Sequence, residues 1–338
     1  MKKIDIFNHI WPRTYYEKLK SAMGPMVDIT RRSEAIPMMT DLNERFRVMD
    51  MFEDYYQVLS LASPPLELVH DSKASCELAR IGNDGMKELC EKHPDRFPGF
   101  IASLAMNDPV AAVTETDRAI NGLGALGIQI YTNVSGKPLD APEFRPVFEM
   151  MARLNKPVWL HPARGANFPD YLSEARSMYE IWWTFGWPYE TSAALARLVF
   201  SKIMQDYPDL RIISHHAGGM VSFFEGRVGP GWDQLGARTS AEDYSLLLNE
   251  LDQRPVDYFR KFYADTATFG SRAALVCAIE FFGIDNILFA SDAPFDPEKG
   301  PMYIRETIRA IDSLDINSSD REKIYSGNAI RLTGIELN

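Results

Sequence analysis

Ile4-Asp5-Ile6-Phe7-Asn8-His9 is a short run, half of it apolar and partly β-branched, that closes on a side chain able to bind a metal. Such a run is too short for a stable helix. Taken with the apolar runs that follow, it fits strands buried on both faces, as in parallel sheets. Runs of the same kind follow at 57–62, 97–104, 126–131, 157–161, 211–216, 262–265 and 287–292. Most intervals between them hold a helix-length amphipathic stretch: 42–51, 74–92, 108–122, 142–154, 192–206, 271–282 and 301–314. Eight strands alternating with helices is the count of a closed (β/α)8 TIM-like barrel. The prediction is therefore an α/β fold, with residues 1–338 as one domain.

Two intervals exceed what a barrel needs. Residues 11–39 follow the first strand and 162–191 the fifth, and both are rich in aromatics, Pro and Met. Loops after barrel strands lie on the catalytic face, so these are expected to wall or cover a pocket.

With 46% hydrophobic and 25% charged residues, the composition is that of an ordinary globular protein. A net charge of -11, with no basic run, excludes nucleic acid and anionic membrane surfaces as natural partners. No eighteen apolar residues run together, and Asp5 and Asn8 interrupt the N-terminus before a signal-peptide core can form. A cytoplasmic protein is expected. Cys76, Cys90 and Cys277 are widely spaced and form no CxxC pair, which fits reduced, buried thiols.

The histidines carry the functional signal. His9, His161 and the doublet His215–His216 fall at the C-terminal ends of three predicted strands, and Asp292 ends the eighth. A barrel collects its catalytic groups at those ends, however far apart they are in sequence. Three imidazoles and a carboxylate converging there suit one divalent metal ion, with zinc the first choice and manganese the second. His70 and His93 fall in a loop and near a helix end and are expected at the surface. Because neighbouring strand residues face opposite ways, only one member of the doublet is expected in the pocket.

Arg164, three residues after His161, is equally compatible with binding a substrate carboxylate and with bracing its own loop. The aromatic run from Trp182 to Pro188, with Trp187 at its centre, can form either core or a flat slot for a conjugated ring, to which Trp11 and Phe295 would add. Asp265, at the end of strand seven, is expected to hydrogen-bond a metal ligand from behind.

Several motifs carry a family resemblance. Asp5-Ile6-Phe7-Asn8-His9 resembles the D-x-H-x-H opening of the amidohydrolase superfamily, and His161-Pro162 its strand-five ligand. His216-Ala217-Gly218-Gly219 is similar to its HxGG, Ser291-Asp292-Ala293-Pro294-Phe295 to its (S/T)D-x-P-F, and 327–332 to its GNAxRL tail. Gly127-Ile128-Gln129-Ile130-Tyr131 and Gly226-Arg227 narrow the resemblance to the branch of aminocarboxymuconate semialdehyde and resorcylate-type decarboxylases. The resemblance implies metal ligands His9, His161 and Asp292, with His216 or Asp292 moving protons. The HxGG register puts His216 in the pocket and turns His215 away, toward the helices or a neighbouring strand. Strand four ends on Tyr131 and Thr132 rather than a lysine, so one metal is implied. Arg227, in a homodimer, would reach a substrate carboxylate across the interface. One position departs from the pattern: Phe7 stands where the first histidine of HxH would be, and a phenyl ring offers no donor.

The reading that follows is metal-dependent, non-oxidative decarboxylation of an aromatic or unsaturated carboxylic acid, a small-molecule substrate. Hydrolysis or hydration of a lactone, amide or related bond is the alternative on the same barrel. A metal-free binding protein is the third reading, motivated by Phe7.

Overall fold

The computed structural model describes residues 1–69, 71–240 and 242–337, and His70 lies outside the described residues. The barrel strands are β1 (Lys3–Ile10), β2 (Tyr55–Leu61), β3 in two pieces (Gly99–Phe100 and Ala102–Ser103), β4 (Ile128–Tyr131), β5 (Val158–His161), β6 (Ile212–Ser214), β7 (Tyr263–Asp265) and β8 (Ile287–Leu288). All pair in parallel, through registers such as Ala102 with Ile128, Tyr131 with His161, Leu160 with Ser214, and Ala264 with Ile287. The ring closes where Ile6 N donates to the Phe289 carbonyl at 3.0 Å and His9 N to the Ala293 carbonyl at 2.8 Å.

Helices Leu42–Met49, Ser72–Lys92, Pro109–Asp117, Arg145–Leu154, Gly186–Phe200, Pro255–Phe259, Arg272–Phe282 and Pro301–Asp312 alternate with the strands. Side-chain caps start several of them: Asp41, Asp71, Asp108 and Ser271 each accept from backbone N–H groups of the first turn. Among the boundaries that shift, two bear on the site. The helix expected from 192 begins at Gly186, because Pro188 sits in its first turn, where a missing N–H costs nothing. The strand expected over 287–292 ends at Leu288, and Asp292 takes a left-handed backbone with φ +60°.

Apolar side chains fill the barrel interior, including Phe7, Val58, Ile101, Trp159, Ile213 and Leu288, while Leu332 and Ile335 from the C-terminal segment join the same cluster. Trp159 of β5 crosses this interior, its Nε1 donating to the Ile6 carbonyl at 3.1 Å. Gly127 makes room for it, since a Cβ there would stand 2.6 Å from the Trp159 ring and 2.2 Å from the Pro157 carbonyl oxygen. Among the described residues no helix is long and apolar enough to cross a membrane. The three cysteines are free and half-buried, rather than fully buried as expected.

The long loops are partly helical, with Arg13–Met23 and Asp28–Glu34 in the first and Ile181–Thr184 in the second. They meet where Ile29 packs on Trp182, Trp187 and Ala166. Cavities of about 410 and 440 Å³ lie beside this contact, both bordered by Asp28, Ile29 and Trp182.

Candidate metal centre

His9 lies near the C-terminal end of β1, opposite Ser60 in register. Its Nδ1 is 3.2 Å from Ser60 Oγ and 3.3 Å from the Leu61 carbonyl. His161 closes β5, and its Nδ1 contacts the Pro162 carbonyl at 2.8 Å. His215 Nδ1 is bound to Asp265 Oδ2, and His216 Nδ1 lies 2.9 Å from the Ala267 carbonyl. Carbonyl and carboxylate oxygens only accept, so each neutral ring carries its hydrogen on Nδ1 and presents a lone pair at Nε2. Metal-binding histidines are held from behind in this way.

The Nε2 atoms of His9 and His215 are buried and make no hydrogen bond among the described residues; Asp292 Oδ1 stands 3.2 Å from the first and 3.5 Å from the second. Ligand atoms of His9, His161 and His215 lie within 4.8 Å of one another, as do those of His215, His216 and Asp292. Leaving two imidazole nitrogens unsatisfied in a buried site is costly. A divalent cation would satisfy both, so this donor set fits one.

The charges follow from the packing. Burial, followed by the neighbouring His215 and His9, holds His161 well below the ordinary histidine range. Burial and then His215 lower His216 to about 4. For His215 burial opposes the charge, but Asp265 and Asp292 outweigh it and raise the ring to about 9. Burial disfavours the Asp292 carboxylate, yet the close imidazoles of His215 and His9 hold it well below the usual range. Behind β1, Asp5 is pushed up to about 6 by burial while accepting from Tyr55 Oη at 2.5 Å and Ser291 N at 3.1 Å.

The structure corrects the expected placement of His215. Its ring joins the cluster, stacked on His216 with centroids 3.7 Å apart, instead of turning outward. Strand alternation agrees, because Ile213, two residues earlier, already faces the barrel interior; it is His216 that departs from it, since β6 ends at Ser214 and His216 and Ala217 adopt φ values of +54° and +56°. The doublet itself was the visible signal. Asp265, which also accepts from Ala217 N and Ala267 N, stands behind His215.

Around the histidines, Trp187 packs 5.6 Å from His161, and Phe295 packs 5.3 Å from His9. Arg164 lines the 440 Å³ cavity but is bound to Glu190 at 2.8 Å, the loop-bracing arrangement. Trp11 is not in a slot with these rings; it is buried against Tyr16 at 5.1 Å. Arg227 sits on an exposed turn over Phe224, outside the histidine cluster. His93 is half-buried, edge-on to Phe46 at 4.9 Å. Three residues had no sequence signal because they lie outside the strand-end pattern: Phe269 beside His216 at 5.4 Å, Tyr303 against Phe269 at 4.4 Å, and Arg32, which donates to the Phe295 carbonyl at 2.5 Å.

A family model for amidohydrolases matches residues 4–335. This chain belongs to the amidohydrolase family. The amidohydrolase is 26% identical over 352 residues to the 2-amino-3-carboxymuconate-6-semialdehyde decarboxylase of Dictyostelium discoideum, covering 99% of this chain and 92% of the relative. It is 30% identical over 297 residues to the gamma-resorcylate decarboxylase of Rhizobium sp. (strain MTP-10005), covering 85% of each chain. A solved dihydroxybenzoic acid decarboxylase from Polaromonas sp. JS666, with bound manganese and the inhibitor 2-nitroresorcinol, superposes with a TM-score of 0.78 at 28% identity, over 98% of this chain and 97% of that one.

Proposed function

We propose that this amidohydrolase is a metal-dependent, non-oxidative decarboxylase of an aromatic or conjugated carboxylic acid. The observation that carries the reading is His216: a neutral imidazole within ligand distance of Asp292 and His215, flanked by the Trp187 ring at 6.4 Å and the Phe269 ring at 5.4 Å. That is a proton carrier set among flat apolar surfaces, beside a group of metal-binding side chains. The similar proteins are decarboxylases of acids of this class, which supports it.

His9, His161 and Asp292 would hold one divalent ion. Imidazole ligands favour zinc, and the Polaromonas relative's structure contains manganese. When bound, the ion supplies Lewis-acid polarisation of a substrate oxygen. Trp187 and Phe295 wall the ring of the substrate, and Arg164, at the cavity edge, meets its polar rim. With its Nδ1 hydrogen committed to Ala267, His216 has a lone pair at Nε2 to take up a proton. Once loaded, it delivers that proton to the ring carbon bearing the carboxylate. The carbon–carbon bonding pair returns to the ring as CO2 leaves, so no electron acceptor is consumed. The anionic Asp292 is poorly placed to donate, because the imidazoles beside it favour the charged form. A cytoplasmic homodimer, with Arg227 at the interface, completes the proposal; the exposed Phe223 on the same turn supports it.

The test is product analysis. Metal-loaded protein in D2O with carboxyl-13C hydroxybenzoates is expected to release 13CO2 and leave one deuterium at the vacated ring carbon. A hydrated or ring-opened acid from a lactone or amide panel, with no CO2 released from any aromatic acid, would overturn the reading in favour of a hydrolase.

A further inference from the structure

We propose that His215 takes over the metal-binding role that Phe7 has lost, so that the ligands are His9, His161 and His215 with Asp292. The inference deepens the metal-site reading above and rests on it.

Position 7 lies directly under the cluster. The Phe7 ring is 5.4 Å from His9, 5.7 Å from His161 and 3.9 Å from His215, with the last pair stacked at 20°. A histidine at 7 would therefore lie against the His215 ring and reach the same cluster. Phe7 is fully buried and forms the apolar platform on which His215 rests. An imidazole arriving from β6 occupies the space above the lost ligand, and an inert ring fills the space below.

His215 also has the surroundings of a ligand. It is fully buried, its Nε2 has no hydrogen bond among the described residues, and that atom faces Asp292 Oδ1 at 3.5 Å. Its Nδ1 is held by the carboxylate of Asp265, which is itself fixed by two backbone N–H groups. This carboxylate–histidine pairing is the one that orients metal ligands. The left-handed turn from His216 to Gly219 allows adjacent histidines to share a side, with φ between +54° and +77° at all four residues. Left-handed non-glycine residues are strained and persist where the surroundings demand them. His216, the outer ring of the stack, is left for proton transfer. Three imidazoles and one carboxylate close around the ion, one nitrogen more than the inherited motif supplies without position 7.

The test needs no variant at its first step. Extended X-ray absorption on the zinc- or cobalt-loaded wild-type protein is expected to count three imidazole nitrogens, and a count of two would overturn the inference. Chelator competition then compares wild type, His215→Ala, Phe7→His/His215→Ala and a His161→Ala control. His215→Ala is expected to weaken cobalt binding by at least on the order of a hundredfold, the loss that even outer-shell partners reach. Restored affinity in the double variant, which returns a histidine to position 7, would support the exchange. If His161→Ala loses metal while His215→Ala binds like wild type, the inference fails and the metal site stands. If wild type itself takes up no metal, the metal-site reading falls and the inference with it.

Discussion

Glu67 shows what a single buried carboxyl does to this protein. It borders the 440 Å³ cavity, its Oε1 accepts from Met106 N at 3.0 Å, and its Oε2 is buried without a hydrogen bond among the described residues. Burial pushes it from 4.5 to about 7. The folded state then binds more protons than the unfolded chain between those values, so stability falls as pH rises through that window and levels off above it. Glu67→Gln is expected to remove this slope. Urea unfolding at pH 5 and pH 8 should show the wild type losing about 3 kcal/mol more than the variant across that interval. Equal losses would mean that the carboxyl is ionised throughout. Asp5, raised to about 6 by burial, adds a slope of the same sign at slightly lower pH, and it is left intact in this comparison.

At the scale of the element, β1 is held in place by an arginine from the following helix. Arg45 is fully buried and donates to the Gln57 Oε1 at 2.7 Å, the Asn8 Oδ1 at 3.3 Å, the Met38 carbonyl at 3.0 Å and the His9 carbonyl. Every partner is a neutral oxygen, and burial lowers its pKa to about 10, still high enough to keep the charge at neutral pH. The guanidinium fork thereby joins the His9 end of β1 to β2 and to the end of the long first loop. A lysine has neither the planar fork nor enough donors to span these oxygens. Arg45→Lys is expected to cost about 2–4 kcal/mol in urea unfolding and to weaken metal binding through the displaced His9 backbone. An unchanged unfolding midpoint would show that β1 is fixed by the barrel pairing alone.

At the scale of the whole molecule, the proposed homodimer turns on Arg227. The side chain lies on an exposed turn over Phe224, beside Phe223, which is 77% exposed. A solvent-facing arginine of this kind contributes little to the stability of its own subunit, within about 0.5 kcal/mol. Arg227→Ala is therefore expected to keep the wild-type Tm while lowering kcat/KM at least tenfold, the loss of roughly one charge-assisted hydrogen bond to substrate. Light scattering across a dilution series should show the dimer in both proteins. A monomer with full activity, or an Arg227→Ala variant with wild-type kcat/KM, would remove the interface from the mechanism.

The sequence by itself determined the eightfold alternation, the parallel and buried character of the strands, and the convergence of His9, His161, His216 and Asp292, because hydrophobic period and strand-end position are local properties of the chain. It also exposed Phe7 as a position without a donor. What His215 does was decided only in three dimensions. Alternation lets only one member of the doublet face inward, and that member is His215, in step with Ile213; His216 joins it because β6 stops at Ser214 and the chain turns left-handed at His216. The positions of Arg32, Phe269 and Tyr303 were decided in the same way, by how long loops close over a barrel end, and no periodic pattern records that. Arg164 remained open in the sequence for the complementary reason: its partner Glu190 is twenty-six residues away, and only the fold of the loop brings the two charges to 2.8 Å.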